Sequence, residues 1–156
     1  VLGYNAGAKV NPPLRTARDV EAIKEGLRDG TVDVISTDHA PHHVDEKMGE
    51  FDLAPSGISG LETALGLSLR LVHEGCLSLS DLVEKMSWTP SRIIGTGCGT
   101  LKAGAPADIA VIDPDREYRV DSAGFASKGK NTPFDGIVLR GRPVKTICSG
   151  RIHTWD

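Results

Sequence analysis

The sequence predicts an α/β protein of parallel type with a smaller β region following it. Three observations carry that reading. Up to about Gly97, strand-like apolar runs alternate with amphipathic helical stretches, the rhythm of parallel strands joined by helices. Beyond Gly97 the helical spacing gives way to short β segments set between Gly and Pro. The apolar run at 32–36 ends abruptly in Asp38, followed by His39, His42 and His43. An α/β barrel delivers acids and imidazoles to its active face in this way, from the C-terminal ends of its strands.

The elements follow in order. Residues 9–11 close a short strand, which Pro12 and Pro13 break. Thr16 caps a helix, with Asp19 three residues on in the capping-box position. Val20, Ile23 and Leu27 share one face of that helix, and Gly30 ends it. Residues 32–36 form the next strand, and a loop rich in acids, Gly and Pro runs from Pro41 to about Ser59. A second helix spans 60–74, with Leu61, Leu65, Leu69 and Val72 as its apolar stripe and Gly75 as its stop. Ser78 or Ser80 caps a third helix that buries Leu82, Val83 and Met86. Pro90 suits the first turn of a short helix reaching Ile94. In the β region, 107–112, 137–139 and 144–148 read as strands, the last paired with 151–154 across a Ser149-Gly150 turn. The expected result is a small sandwich or sheet.

Composition narrows the function classes. The 156 residues are 39% hydrophobic and 25% charged, the profile of a globular chain long enough to bury a core. A net charge of −3 offers no basic surface for nucleic acid or an acidic membrane. No apolar run approaches the roughly 18 residues of a membrane span. Cys76, Cys98 and Cys148 are odd in number and lack a CxxC spacing, which suggests free thiols, a reducing compartment and a cytoplasmic location. The chain opens on Val1 rather than Met, and its first residues read as the interior of a longer protein, so we expect a C-terminal piece.

Asp38 leads the residues that can do chemistry. At a strand end it can ligate a metal through oxygen or shuttle a proton to and from water, and it can equally cap the following turn. His42 can ligate a metal or donate to an anionic substrate group, or simply sit in solvent. His39 and His43 read as structural. Asn11, before two prolines that lack N–H groups, offers its own backbone to a ligand or merely ends the strand. Arg15 can anchor an anion or satisfy a helix end. The stretch from Pro55 through Ser56, Gly57 and Gly60 to Thr63 leads into a helix with free N–H groups, but its spacing is not that of a phosphate loop.

Asn11-Pro-Pro-Leu-Arg15, Ser36-Thr-Asp38-His-Ala-Pro-His42 and Gly60-Leu-Glu-Thr63 together resemble the C-terminal half of bacterial dihydroorotases. So do Gly99-Thr-Leu-Lys-Ala-Gly-Ala-Pro-Ala-Asp-Ile109 and Ser127-Lys-Gly-Lys-Asn-Thr-Pro-Phe134. The resemblance implies an amidohydrolase-superfamily fold: residues 1–97 as the last units of a metal-dependent (β/α)8 barrel, and 98–156 as strands of a small β-sandwich domain. It implies Zn2+, one or two ions, with the other ligands (a His-x-His pair and further histidines) outside this chain. Asp38 is then both metal ligand and catalytic proton carrier, and His42 a contact to the substrate carboxylate. Asn11, Ser56 and Gly57 hold the pyrimidine ring, largely through main chain.

Two departures stand out: Ser56 is smaller than the family's usual residue, and Thr89-Pro-Ser-Arg92 replaces Asn-Pro-Ala-Arg. The implied reaction interconverts dihydroorotate and N-carbamoyl-aspartate, in the cytoplasm and in a homo-oligomer. Allantoinase- or hydantoinase-type hydrolysis is the alternative. A non-catalytic scaffold for aspartate carbamoyltransferase is a third reading. The 156-residue piece by itself is expected to be inactive, because Asp38 alone would hold zinc poorly.

Overall fold

The structure, a computed structural model, describes residues 3–154; Val1, on which the reading of an interior start rests, lies outside them. Helix α1, Ala17–Asp29, begins where the sequence expects. Thr16 Oγ1 accepts from the Asp19 amide while the Asp19 carboxylate accepts from the Thr16 amide at 2.9 Å, and Gly30 closes the helix at φ 85°. Of its expected apolar face only Leu27 is buried; Val20 and Ile23 are 48% and 57% exposed. The stripe is present, but its first two turns are only about half covered by the described residues.

The run at 32–36 is not a strand of a sheet, contrary to the sequence reading, and neither is 9–11. A parallel strand needs neighbours to complete its ladder, and the described residues supply none. Residues 32–36 are instead clamped between helices: the Val32 amide donates to Gly26 O, Lys85 Nζ donates to Val32 O at 2.7 Å, and the Ile35 amide donates to Lys85 O. A single parallel bridge, His39 with Ile58, is the only remnant of parallel pairing among the described residues.

A four-residue helix, α2 (Val44–Lys47), interrupts the loop after Pro41. Helix α3 is Leu61–His73, as expected to within a residue at each end, yet its buried positions are Thr63, Gly66 and Leu69, while Leu61 is 59% exposed. Ser78, not Ser80, caps α4, Leu79–Val83, through a reciprocal pair with Asp81. A π-helical turn, Glu84–Trp88, continues it into α5, Thr89–Ile94, which carries Pro90 in its first turn and ends at Gly95. Leu82 is buried and Met86 packs against the core, but Val83 faces outward. The core joins Leu27, Leu69, Cys76, Leu77 and Leu82, flanked by Val32, Ile35 and Leu65. Cys76, Cys98 and Cys148 are all free thiols.

Among the described residues the β region is one antiparallel sheet of three strands in the order β1, β2, β3: Ile109–Arg119, Val138–Cys148 and Arg151–Thr154. The segments expected at 137–139 and 144–148 are one strand running through Gly141. Ser149 and Gly150 both have positive φ, 49° and 76°, as a tight two-residue hairpin requires. Two glycines join this sheet to α3. A Cβ on Gly141 would stand 2.2 Å from Leu69 Cδ1, and one on Gly66 would stand 2.6 Å from the Tyr118 hydroxyl and 3.1 Å from Leu139. Side chains at either point would push helix and strand apart.

Candidate active site

Three loops meet at the end of the 32–36 segment: 37–43, 54–60 leading into α3, and 127–131 from the connection between β1 and β2. Asp38 turns the first loop. Its φ of 44° lies in the left-handed region, where Asp is one of the few tolerated side chains, at a cost of roughly 1–2 kcal/mol. Its carboxylate is exposed and has no hydrogen-bond or ionic partner among the described residues. It neither caps a turn nor pairs with a cation.

His39 and His42 are held tightly by contrast. His39 Nδ1 accepts from the amides of Gly60 at 3.0 Å and Leu61 at 3.3 Å, closing the open N-terminus of α3. That leaves Nε2 as the protonated nitrogen, facing Ser127 Oγ at 3.4 Å. The structural reading of His39 stands. His42 donates its backbone amide to Asn131 Oδ1 at 2.8 Å, and its Nε2 lies 3.0 Å from Ser56 O. Because Ser56 O can only accept, Nε2 carries the proton, and Nδ1 sits 3.4 Å from Glu46. His43 has a purely local role as the cap of α2.

Gly57 is the point where the loops converge. Its amide donates to Lys9 O at 2.9 Å. Its carbonyl accepts from both Asn131 Nδ2 at 3.0 Å and Lys47 Nζ at 3.1 Å. At φ 138° it adopts backbone that side chains rarely tolerate, and a Cβ there would lie 2.7 Å from Ala40 O and 2.9 Å from His42 Nε2. Both of its polar backbone groups are therefore engaged by protein. Gly57 shapes the site through close approach, and the adjacent Ser56, exposed, offers the freer surface.

Lys47 also donates to Pro55 O at 2.8 Å. Burial, and secondarily the charge of Lys9, holds its ammonium below the ordinary lysine range. Lys9 itself donates to Asp52 O and lies over the Phe51 ring.

The structure brings His42, Ser56 and Gly57 into direct contact. Asn11 is exposed and lies two residues from the Lys9 carbonyl that receives Gly57. Arg15, its side chain 67% exposed, pairs with Asp19 at 3.6 Å and lines an open depression of about 390 Å³ with Lys9, Val10 and Phe51. Among the described residues no three His, Cys, Asp or Glu side chains converge as a metal cluster would require. The sequence reading passed over Ser59, Lys47, Glu62 and Asn131. Ser59 is wholly buried; its amide donates to Asn131 O and its hydroxyl to Gly129 O. Glu62 receives the Ser127 amide at 2.8 Å.

The sequence matches the amidohydrolase family over residues 8–153. The chain belongs to the amidohydrolase family. It is 56% identical over 152 residues to a dihydroorotase of Citrifermentans bemidjiense, covering 97% of this chain and 36% of that protein. It is 57% identical to one of Pelotomaculum thermopropionicum, covering 100% of this chain and 37% of the other. The chain thus spans little more than a third of the curated relatives it matches. Among solved structures, L-hydantoinase from Arthrobacter aurescens superimposes with a TM-score of 0.89 at 36% identity, over 97% of this chain and 35% of that one. A D-hydantoinase follows at TM-score 0.82 and 26% identity, covering 94% of this chain and 34% of the other. The fold class is accordingly that of an amidohydrolase: a partial α/β unit of the barrel with strands of the β domain.

Proposed function

We propose that the protein carrying this chain is a dihydroorotase, hydrolysing the ring amide of dihydroorotate to N-carbamoyl-aspartate and closing it again. One observation carries the choice within the family. Identity to dihydroorotases is 56% across nearly the whole chain, well above the 36% shared with L-hydantoinase. Retention of an unencumbered Asp38 and an ordered His42 favours an enzyme over a scaffold that serves aspartate carbamoyltransferase. The division near residue 97 would separate barrel units from the β domain. A cytoplasmic location and assembly of like subunits complete the reading.

The residues suit the reaction. Asp38, exposed and without a partner, fits a single ligand of a zinc ion; three or more protein ligands are needed in all, so this chain supplies one share of such a site. Bound zinc would polarise the ring carbonyl and make water acidic near neutral pH. Asp38 takes the proton from the attacking water as the new C–O bond forms. It returns that proton to the ring nitrogen as the C–N bond breaks, so no proton is lost. His42 is the contact to the substrate carboxylate; with Nε2 on Ser56 O and Nδ1 beside Glu46, its ring would exchange one of these partners for the substrate. Asn11 and Ser56 flank the ring, and Gly57 sets how closely it approaches.

The test is a substrate panel on the full-length protein with zinc: dihydroorotate, a hydantoin and allantoin. Turnover of dihydroorotate far above the others is expected. Preference for the hydantoin would move the protein to the hydantoinase branch.

A further inference from the structure

The loop at 127–131 reaches across from the β region and lies on the backbone of Pro41 and His42. A Cβ on Gly129 would stand 2.5 Å from Pro41 Cβ and 3.0 Å from both His42 N and His42 O. Its anchors are the wholly buried Ser59 hydroxyl on Gly129 O, the Asn131 carbonyl on the Ser59 amide, and Glu62 on the Ser127 amide. At its end the Asn131 side chain bonds in opposite senses to His42 and Gly57, and its Oδ1 also lies 3.3 Å from the Ser59 hydroxyl. Oδ1 accepts from the His42 amide at 2.8 Å, and Nδ2 donates to Gly57 O at 3.0 Å. One planar amide thereby fixes the spacing between two loops that sequence separates by some fifteen residues.

We infer that Asn131 is a positioning residue, acting through His42 and Gly57 to hold the two substrate-contact loops as one rigid unit. The inference rests on the reading of those loops as substrate contacts. The geometry makes it specific. Both bonds are partly buried, and a side chain of another shape or polarity cannot serve both loops at once.

The experiment compares wild type, Asn131→Ala and the near-isosteric Asn131→Asp in the full-length protein. It reads hydrogen exchange at 38–43 and 55–60, with α3 as internal reference, and kcat and KM for dihydroorotate. Asn131→Ala should speed exchange in both loops about tenfold or more while leaving α3 unchanged. It should raise KM about tenfold with kcat largely kept. Asn131→Asp keeps the acceptor for the His42 amide but sets an oxygen against Gly57 O. It should loosen 55–60 and spare 38–43.

Loops that stay protected in both variants, or that loosen together with α3, would overturn the inference. Should wild type fail to turn over dihydroorotate while Asn131→Asp still loosens only 55–60, the positioning role holds and the substrate assignment falls.

Discussion

His42 and Asp38 lie four residues apart on one loop, yet the protein treats them oppositely. His42 is bonded through its backbone to Asn131, through its ring to Ser56, and packed beneath Gly129. Asp38 stands on left-handed backbone with a free carboxylate. The same contrast separates Gly57, bonded on both sides, from Asn11, which is exposed. On the proposed function, the loops that would grip a substrate are a cross-braced unit. The carboxylate that would react stands bare, open to a charge and a proton from other groups. Preorganisation of contacts and availability of the reacting group are different requirements, and one short loop meets both.

The largest effect that would sharpen this contrast comes from the bare side. Asp38→Asn should lower kcat by about a thousandfold or more while leaving the melting temperature of the metal-free protein nearly unchanged, since the side chain has no protein partner to lose among the described residues. Leu69→Ala acts on neither half of the site in particular. Leu69 is wholly buried between α3 and Gly141, so thermal or urea unfolding should show a loss of about 3 kcal/mol. Gly57→Ala tests the braced side. The steric conflict with Ala40 and the positive φ should cost about 1–3 kcal/mol and raise KM more than they lower kcat. Equal damage to kcat and KM there would dissolve the distinction between gripping and reacting groups.

The smallest effect concerns acid. Asp19 and Asp81 bond the hydroxyls and amides of their capping residues Thr16 and Ser78, which holds both carboxyls below the ordinary aspartate range. Their contribution is complete above the unfolded value of about 3.9 and disappears as pH falls through the lower folded values. Acid titration of the melting temperature should therefore flatten below about pH 4 in Ser78→Ala relative to wild type, by a few degrees at most.

Helix ends were legible in the sequence because their causes are local. Thr16 with Asp19, and Gly30, act within a few residues and behave as read, and of the two caps the sequence offers for α4 Ser78 takes the role, through Asp81. Residues 32–36 were misread as a sheet strand because a strand is defined by partners that its own composition does not supply. Val20 and Ile23 failed as core for the same reason: periodicity marks a face without saying what covers it. The 138–148 strand looked interrupted at Gly141, whose purpose becomes visible only with Leu69 against it. In the site, Asp38 and His42 stood out as acid and imidazole at the end of an apolar run. Asn131 did not, since its side-chain partners lie 89, 74 and 72 residues away.

If braced loops grip the substrate and Asp38 performs the reaction, binding and turnover separate in one variant. Calorimetric binding of dihydroorotate to the full-length, zinc-loaded Asp38→Asn protein, read beside its turnover, measures both. Binding within a few-fold of the wild-type KM, with turnover abolished, is the expected result. Turnover that survives the substitution would contradict the account, as would loss of binding in a protein that keeps its metal and its fold.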